Sequence, residues 1–166
     1  MKYKIIFESD RINFVKLSQK LVHDYLEMIN NVEVQKFISH KRKTYKLDEE
    51  LEWIKSKLKE EAIIFSMIEK ETNEFIGNIE IMKINNNIGE IGIAITQKKQ
   101  NNHFGQEAIK RLIKYAFNDL NLDGLELNVY NSNARGINCY EKVGFVIDGQ
   151  GKTDEDIHTS IKRYKI

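Results

Sequence analysis

With 166 residues, 41% hydrophobic and 31% charged, the chain has the length of one domain or two very small ones and a globular composition, which argues against disorder. Lys and Arg number 26 against 25 Asp and Glu, so composition gives no support to the basic face that nucleic-acid binding requires. The lone Cys139 excludes an intrachain disulfide and a Cys-cluster zinc site, and short apolar runs with no signal core point to a cytoplasmic protein, without membrane or metal.

Residues 1–8 and 11–17 carry Ile, Phe or Val in a broken alternation and read as strands. Leu21, Tyr25, Met28 and Ile29 fall at helical spacing within 20–30, and a short second helix follows over 32–39. Residues 47–60 form an amphipathic helix with Leu47, Leu51, Ile54 and Leu58 on one stripe and Asp48 and Glu49 near its N-terminus. Three β-rich stretches come next, 63–69, 75–84 and 88–95. The turn-like residues 71–73 and 85–87 join them into an antiparallel meander.

The second half alternates. Residues 105–120 place Ala108, Ile109, Leu112, Ile113, Ala116, Phe117 and Leu120 on one helical face. A strand at 124–130, a helix at 132–142 and strands at 145–148 and 158–164 complete the chain. No repeat or linker interrupts it. The expected fold is α/β: one domain over 1–166, a mixed central sheet in which the meander is followed by a βαβα unit, and helices on both faces.

Between strand 88–95 and the long helix lies the polar, basic connection Gln97-Lys98-Lys99-Gln100-Asn101-Asn102-His103-Phe104-Gly105. Free N–H groups at a helix start suit a phosphate or pyrophosphate, and Gly105 lets backbone approach a ligand closely. Lys98 and Lys99 read either as solvated loop or as phosphate contacts. Downstream stands Asn133-Ala134-Arg135-Gly136-Ile137-Asn138-Cys139-Tyr140-Glu141-Lys142-Val143-Gly144-Phe145. By themselves, Asn133 reads as a helix cap and Tyr140 as core with a satisfied hydroxyl. Nothing beside Cys139 marks a lowered pKa, and His23, His40 and His158 lack ligand spacing.

Together, Gln-x-x-x-x-Gly-x-Glu-Ala from Gln100 and Asn-x-x-x-x-x-x-Tyr-x-Lys-x-Gly-Phe from Asn133 resemble the GNAT superfamily of acetyl-CoA-dependent N-acetyltransferases. The order of the N-terminal helices is similar to the branch acting on ribosomal-protein N-termini and polyamines. The resemblance implies a GNAT fold and a pyrophosphate loop over Gln100, Asn101, Asn102, His103, Phe104 and Gly105, with Gln106 opening the helix. It also implies CoA contacts from Asn133 and Arg135, and a tyrosine near the thioester sulfur at Tyr140. Backbone N–H groups around Ile93 and Ile95 would polarise the acetyl carbonyl. One departure stands out: His103 occupies a position where the family has glycine, and if that position requires φ > 0 a side chain there carries some strain, which His tolerates better than most residues.

Acetyl transfer to an alkyl ammonium of pKa near ~10 needs a base or a water chain. Glu90, with Gly92 and Ala94 at period two, offers a carboxylate on a roomy face. If residues 85–87 pair Ile84 with Ile88, Glu80 lies opposite Gly92 on that same face; otherwise it faces solvent. The expected activity is transfer of acetyl from acetyl-CoA to a primary amine by direct attack in a ternary complex. The amine is a small molecule or a protein N-terminus, selected by residues 32–47 and 149–157, and a homodimer is compatible with the family. The alternatives are a non-catalytic CoA-binding or regulatory module, and a structural protein that binds no CoA.

Overall fold

The computed structural model describes residues 2–39, 41–151 and 155–162; Met1, His40, residues 152–154 and the end of the strand expected over 158–164 lie outside them. In chain order the elements are β1 (Ile5–Glu8), β2 (Ile12–Lys16), α1 (Val22–Asn30), α2 (Val32–Gln35), α3 (Leu47–Lys59), β3 (Ile63–Glu69), β4 (Phe75–Asn85), β5 (Ile88–Ile95), α4 (Phe104–Asn118), β6 (Gly124–Tyr130), α5 (Ala134–Lys142), β7 (Val146–Gln150) and β8 (Asp156–Lys162). The strands form one mixed sheet in the order β1-β2-β3-β4-β5-β6-β8-β7. Among the described residues, no helix is long and apolar enough to cross a membrane.

The polar residues at element ends explain most boundaries. Ser18 accepts a hydrogen bond from Lys20 N at 3.1 Å and caps a 3-10 turn, Gln19–Leu21, that delays α1 relative to the helix expected from residue 20. The Asn31 side chain accepts from the N–H groups of Glu33 and Val34 and starts α2. The β4–β5 turn is tighter than expected: Asn85 ends β4, and Asn86 and Asn87, at φ 51° and 63°, make a two-residue turn with both residues left-handed.

Two compact units divide the chain, Met1–Glu80 with Ile93–Phe104, and Ile81–Gly92 with Gly105–Ile166; β4 and β5 run through both. In the first, Tyr25 and Met28 of α1 and Ile54 of α3 pack with Val15, Ile64, Ile68 and Phe75. The buried Tyr25 hydroxyl accepts from Ser18 N at 3.1 Å and meets Ser66 Oγ at 2.6 Å, and burial pushes its pKa up to about 12. A Cβ at Gly77 would lie 2.0 Å from the Ala94 carbonyl oxygen, so only glycine fits there.

In the second unit, α4 buries all six apolar residues expected within its span, Ala108, Ile109, Leu112, Ile113, Ala116 and Phe117. Strand β6 runs parallel to β5, with Glu90 opposite Glu126. Strand β8 enters antiparallel between β6 and β7, a reversal that the alternating pattern did not specify. His158 ties these last strands together. Its Nδ1 lies 2.5 Å from Asp148 and its Nε2 3.1 Å from Glu126. Burial pulls its pKa down, but the two carboxylates outweigh that and raise it.

Candidate active site

In the first unit, the segment after β5 turns through Gln97–Lys99, then extends at Gln100 (φ −71°, ψ 160°). Asn101 and His103 are both left-handed at φ 63°, so the loop alternates conformation immediately before α4. Left-handed residues in a turn can aim successive N–H groups toward an anion. Among the described residues, no backbone acceptor takes the N–H groups of Asn101, Asn102 or His103, and all three residues are exposed. The sequence marks His103 as the departure and places Asn101 in the loop without assigning it a left-handed backbone, which Asn adopts more readily than most non-glycine residues. Helix α4 begins at Phe104, so Gly105 and Gln106 belong to its first turn.

The loop is anchored at several points. Gln100 Nε2 donates to the Ile95 carbonyl at 3.0 Å, and Asn102 Nδ2 donates to the Gln100 carbonyl at 3.0 Å. Asn31 Nδ2 donates to Gln97 Oε1 at 2.8 Å, and the Arg11 guanidinium sits 4.2 Å from the Phe104 ring centre. Lys99 Nζ reaches Glu69 at 2.6 Å and Glu74 at 2.8 Å. Lys98 reaches Glu74 at 3.6 Å and stays largely exposed. Ile93 and Ile95 are half-buried at the end of β5.

In the second unit, Asn133 caps α5 as one of its two readings proposed, its Oδ1 accepting from Gly136 N at 3.0 Å. Arg135 is exposed in the first turn. At the other end, Phe145 N donates to the Tyr140 carbonyl at 3.0 Å and Gly144 N to that of Glu141 at 3.1 Å, with Gly144 at φ 108°. This is a Schellman stop, and its usual hydrophobic contact is present between the Tyr140 and Phe145 rings, centres 6.2 Å apart. The Tyr-x-Lys-x-Gly-Phe run therefore has a physical meaning: glycine ends the helix and phenylalanine folds back to fix the tyrosine ring. Tyr140 as a whole residue is half-buried, but its hydroxyl is withdrawn from water, and that desolvation raises its pKa above the ordinary phenol value, so the hydroxyl stays protonated at neutral pH. Burial also pushes the Cys139 thiol up, against a nucleophilic thiolate.

Glu90, also in the second unit, is 4% exposed. Asn128 Nδ2 donates to its Oε1 at 3.2 Å and Lys83 Nζ lies 3.4 Å from Oε2, so the buried charge is paired. Glu80, in the first unit, is half-buried; burial raises its pKa, with Lys57 opposing. Among the described residues, no group of three His, Cys, Asp or Glu could hold a metal.

The chain matches the acetyltransferase (GNAT) domain over residues 11–146 and belongs to that family. It is 34% identical over 94 residues to the uncharacterized N-acetyltransferase p20 of Bacillus licheniformis, covering 55% of this chain and 53% of that protein. To the L-amino acid N-acetyltransferase AaaT of Escherichia coli it is 32% identical over 65 residues, 39% of this chain and 40% of that one. The chain thus spans about half the length of the curated relatives it matches. The crystal structure of spermidine N-acetyltransferase from Vibrio cholerae, in complex with CoA and spermine, has the same fold, with a TM-score of 0.84 and 22% identity over 95% of this chain and 98% of that one. An acetyltransferase (GNAT family) from Bacillus anthracis gives a TM-score of 0.82 at 20% identity, covering 98% of both chains.

Proposed function

We propose that the chain transfers an acetyl group from acetyl-CoA to a primary amine by direct attack. The observation that carries this reading is the Gln100–Phe104 loop, with Asn101 and His103 left-handed, whose consecutive N–H groups have no backbone acceptor among the described residues just before α4. Free amides next to a helix start suit a diphosphate, and a Cβ built at Gly105 meets only Cys139 Sγ, at 3.5 Å, so nothing crowds the first turn. Acetyl-CoA supplies the activated thioester when bound.

Each residue then has a task. The amides of Asn101, Asn102, His103 and the first turn of α4 hold the diphosphate, with Gln106, Asn133 and Arg135 as further CoA contacts. Backbone N–H groups near Ile93 and Ile95 stabilise charge on the acetyl oxygen. Tyr140, held neutral, donates a hydrogen bond to the sulfur as it departs. Because its pKa is raised, donation rather than complete proton release is its role. Glu90, directly or through water, takes the proton of the attacking amine. Similar proteins named for spermidine and L-amino acid N-acetylation share an amine acceptor, which supports that substrate class here.

Thermal melts with CoA and thiol release from acetyl-CoA with a panel of primary amines test the reading. CoA at a hundredfold excess over Kd should add about 2.7 kcal/mol of stability. A melt unmoved by millimolar CoA overturns the proposal. A shifted melt with no thiol release from any amine favours the non-catalytic CoA-binding module, to which the left-handed His103 also lends weight.

A further inference from the structure

The cofactor loop is fastened from behind by an ion-pair clamp that its motif does not contain. Lys99 precedes Gln100, and its side chain is only 12% exposed. Its ammonium meets Glu69, at the end of β3, and Glu74, just before β4, at 2.6 and 2.8 Å. The turn that carries these carboxylates is itself ordered. Asn73 N donates to the Glu69 carbonyl and Glu69 N to the Glu74 carbonyl, both at 2.8 Å, while Thr72 Oγ1 donates to Glu69 Oε2 at 2.7 Å. The Lys99 backbone is fixed as well, its N–H donating to Thr96 at 2.9 Å, and Thr96 N donates to Ile76 at 2.9 Å.

We infer that Lys99 is a positioning residue: clamped by Glu69 and Glu74, it holds the Gln100–Phe104 loop in its anion-receiving form without touching the anion. The inference rests on the CoA-binding reading for its consequence, but not for its geometry. Two of the three ammonium donors are already spent on carboxylates. Withdrawing Lys99 toward a diphosphate would strand Glu69, 15% exposed, without its cation. With Lys98 also 3.6 Å from Glu74, the cluster holds two cations and two carboxylates and presents no net charge to a bound diphosphate, so its contribution to CoA affinity comes through the shape of the loop. Burial pulls the Lys99 pKa down, yet its bonds to Glu69 and Glu74 raise it overall, and both carboxylates are held below their ordinary range, chiefly by hydrogen bonds from Lys99. The clamp is therefore fully charged at neutral pH.

The two possible roles of Lys99 predict opposite signs for removal of its partners. If the clamp positions the loop, the double variant E69Q/E74Q lowers the fraction of competent loop, and CoA binds about 10-fold more weakly when that fraction falls to a tenth. If Lys99 is a phosphate ligand, the same variant frees a cation and CoA binds more tightly. The experiment is a calorimetric titration with CoA, joined to hydrogen exchange of the hydrogen-bonded Lys99 and Gln100 amides without CoA, on the wild type, K99M, K99R and E69Q/E74Q. Expected are weaker CoA binding and faster exchange in K99M and E69Q/E74Q, with K99R, which keeps both ion pairs, within about twofold of the wild type. Tighter binding in E69Q/E74Q, or K99R as impaired as K99M, overturns the inference. A wild type that binds no CoA sinks the acetyltransferase reading instead. Exchange then decides the clamp by itself, and unchanged exchange in K99M and E69Q/E74Q overturns it.

Discussion

Helices α4 and α5 belong to the same unit, both show clear apolar periodicity, and the fold treats them oppositely. Helix α4 buries Ala108, Ile109, Leu112, Ile113, Ala116 and Phe117; α5 has no buried residue, and the five residues of β7 that follow are all exposed. Periodicity tells which face of a helix turns inward, not how much material lies in front of it. Helix α4 is fixed by burial, whereas α5 is fixed at its ends: by Asn133 at its start, and by Gly144 and Phe145 at its stop. An exposed residue on such a helix can be exchanged at small cost to folding.

The sharpest way to break this comparison is truncation on both helices. Leu112→Ala removes a fully buried side chain and should cost about 3 kcal/mol in denaturant unfolding. Ile137→Ala, at a half-buried site on α5, should cost under about 1 kcal/mol. Equal losses would mean that α5 is packed as α4 is.

Next comes Tyr140→Phe, which keeps the ring against Phe145 and deletes the hydroxyl. Steady-state kinetics should show kcat falling about 100-fold, the loss expected for one preorganised hydrogen-bond donor, while CoA affinity holds. The raised pKa adds a pH signature: the wild type should show no loss of kcat attributable to Tyr140 ionisation below pH ~10. Near-wild-type kcat in the variant would return Tyr140 to a packing role.

The smallest effect concerns the start of α4, where His103 is left-handed, against the stop of α5, where glycine holds that conformation. His103→Gly should relieve about 1 kcal/mol of strain in thermal melts and leave CoA binding equal or tighter. A large loss of CoA affinity would show that the imidazole itself contacts the ligand.

How much of this was legible in the sequence varies with the length scale of the interaction. Strands β3, β5 and β6 begin and end where the alternation and turn residues place them, because those signals are local. The Tyr140–Gly144–Phe145 stop is local too, and the motif spelled it out. Left-handed positions were only half legible. Five of the seven described non-glycine residues at positive φ are asparagines, so in this chain Asn fills places where glycine is the usual marker. The Lys99 clamp could not be read at all, since its partners lie 25 and 30 positions away and a Lys-Lys pair in a polar loop looks solvated. The order of β7 and β8 was equally hidden, because pairing among short strands depends on the β6 surface they find.

Gly77 carries a consequence of another kind. The carbonyl of Ala94 already occupies the space a first side-chain carbon at 77 would need. Every other amino acid brings that carbon with it, whatever its polarity or size. The history of this position is therefore closed to gradual change: drift that elsewhere trades one residue for a similar one has no intermediate to pass through here, and the glycine can be lost only together with the path of the strand beside it.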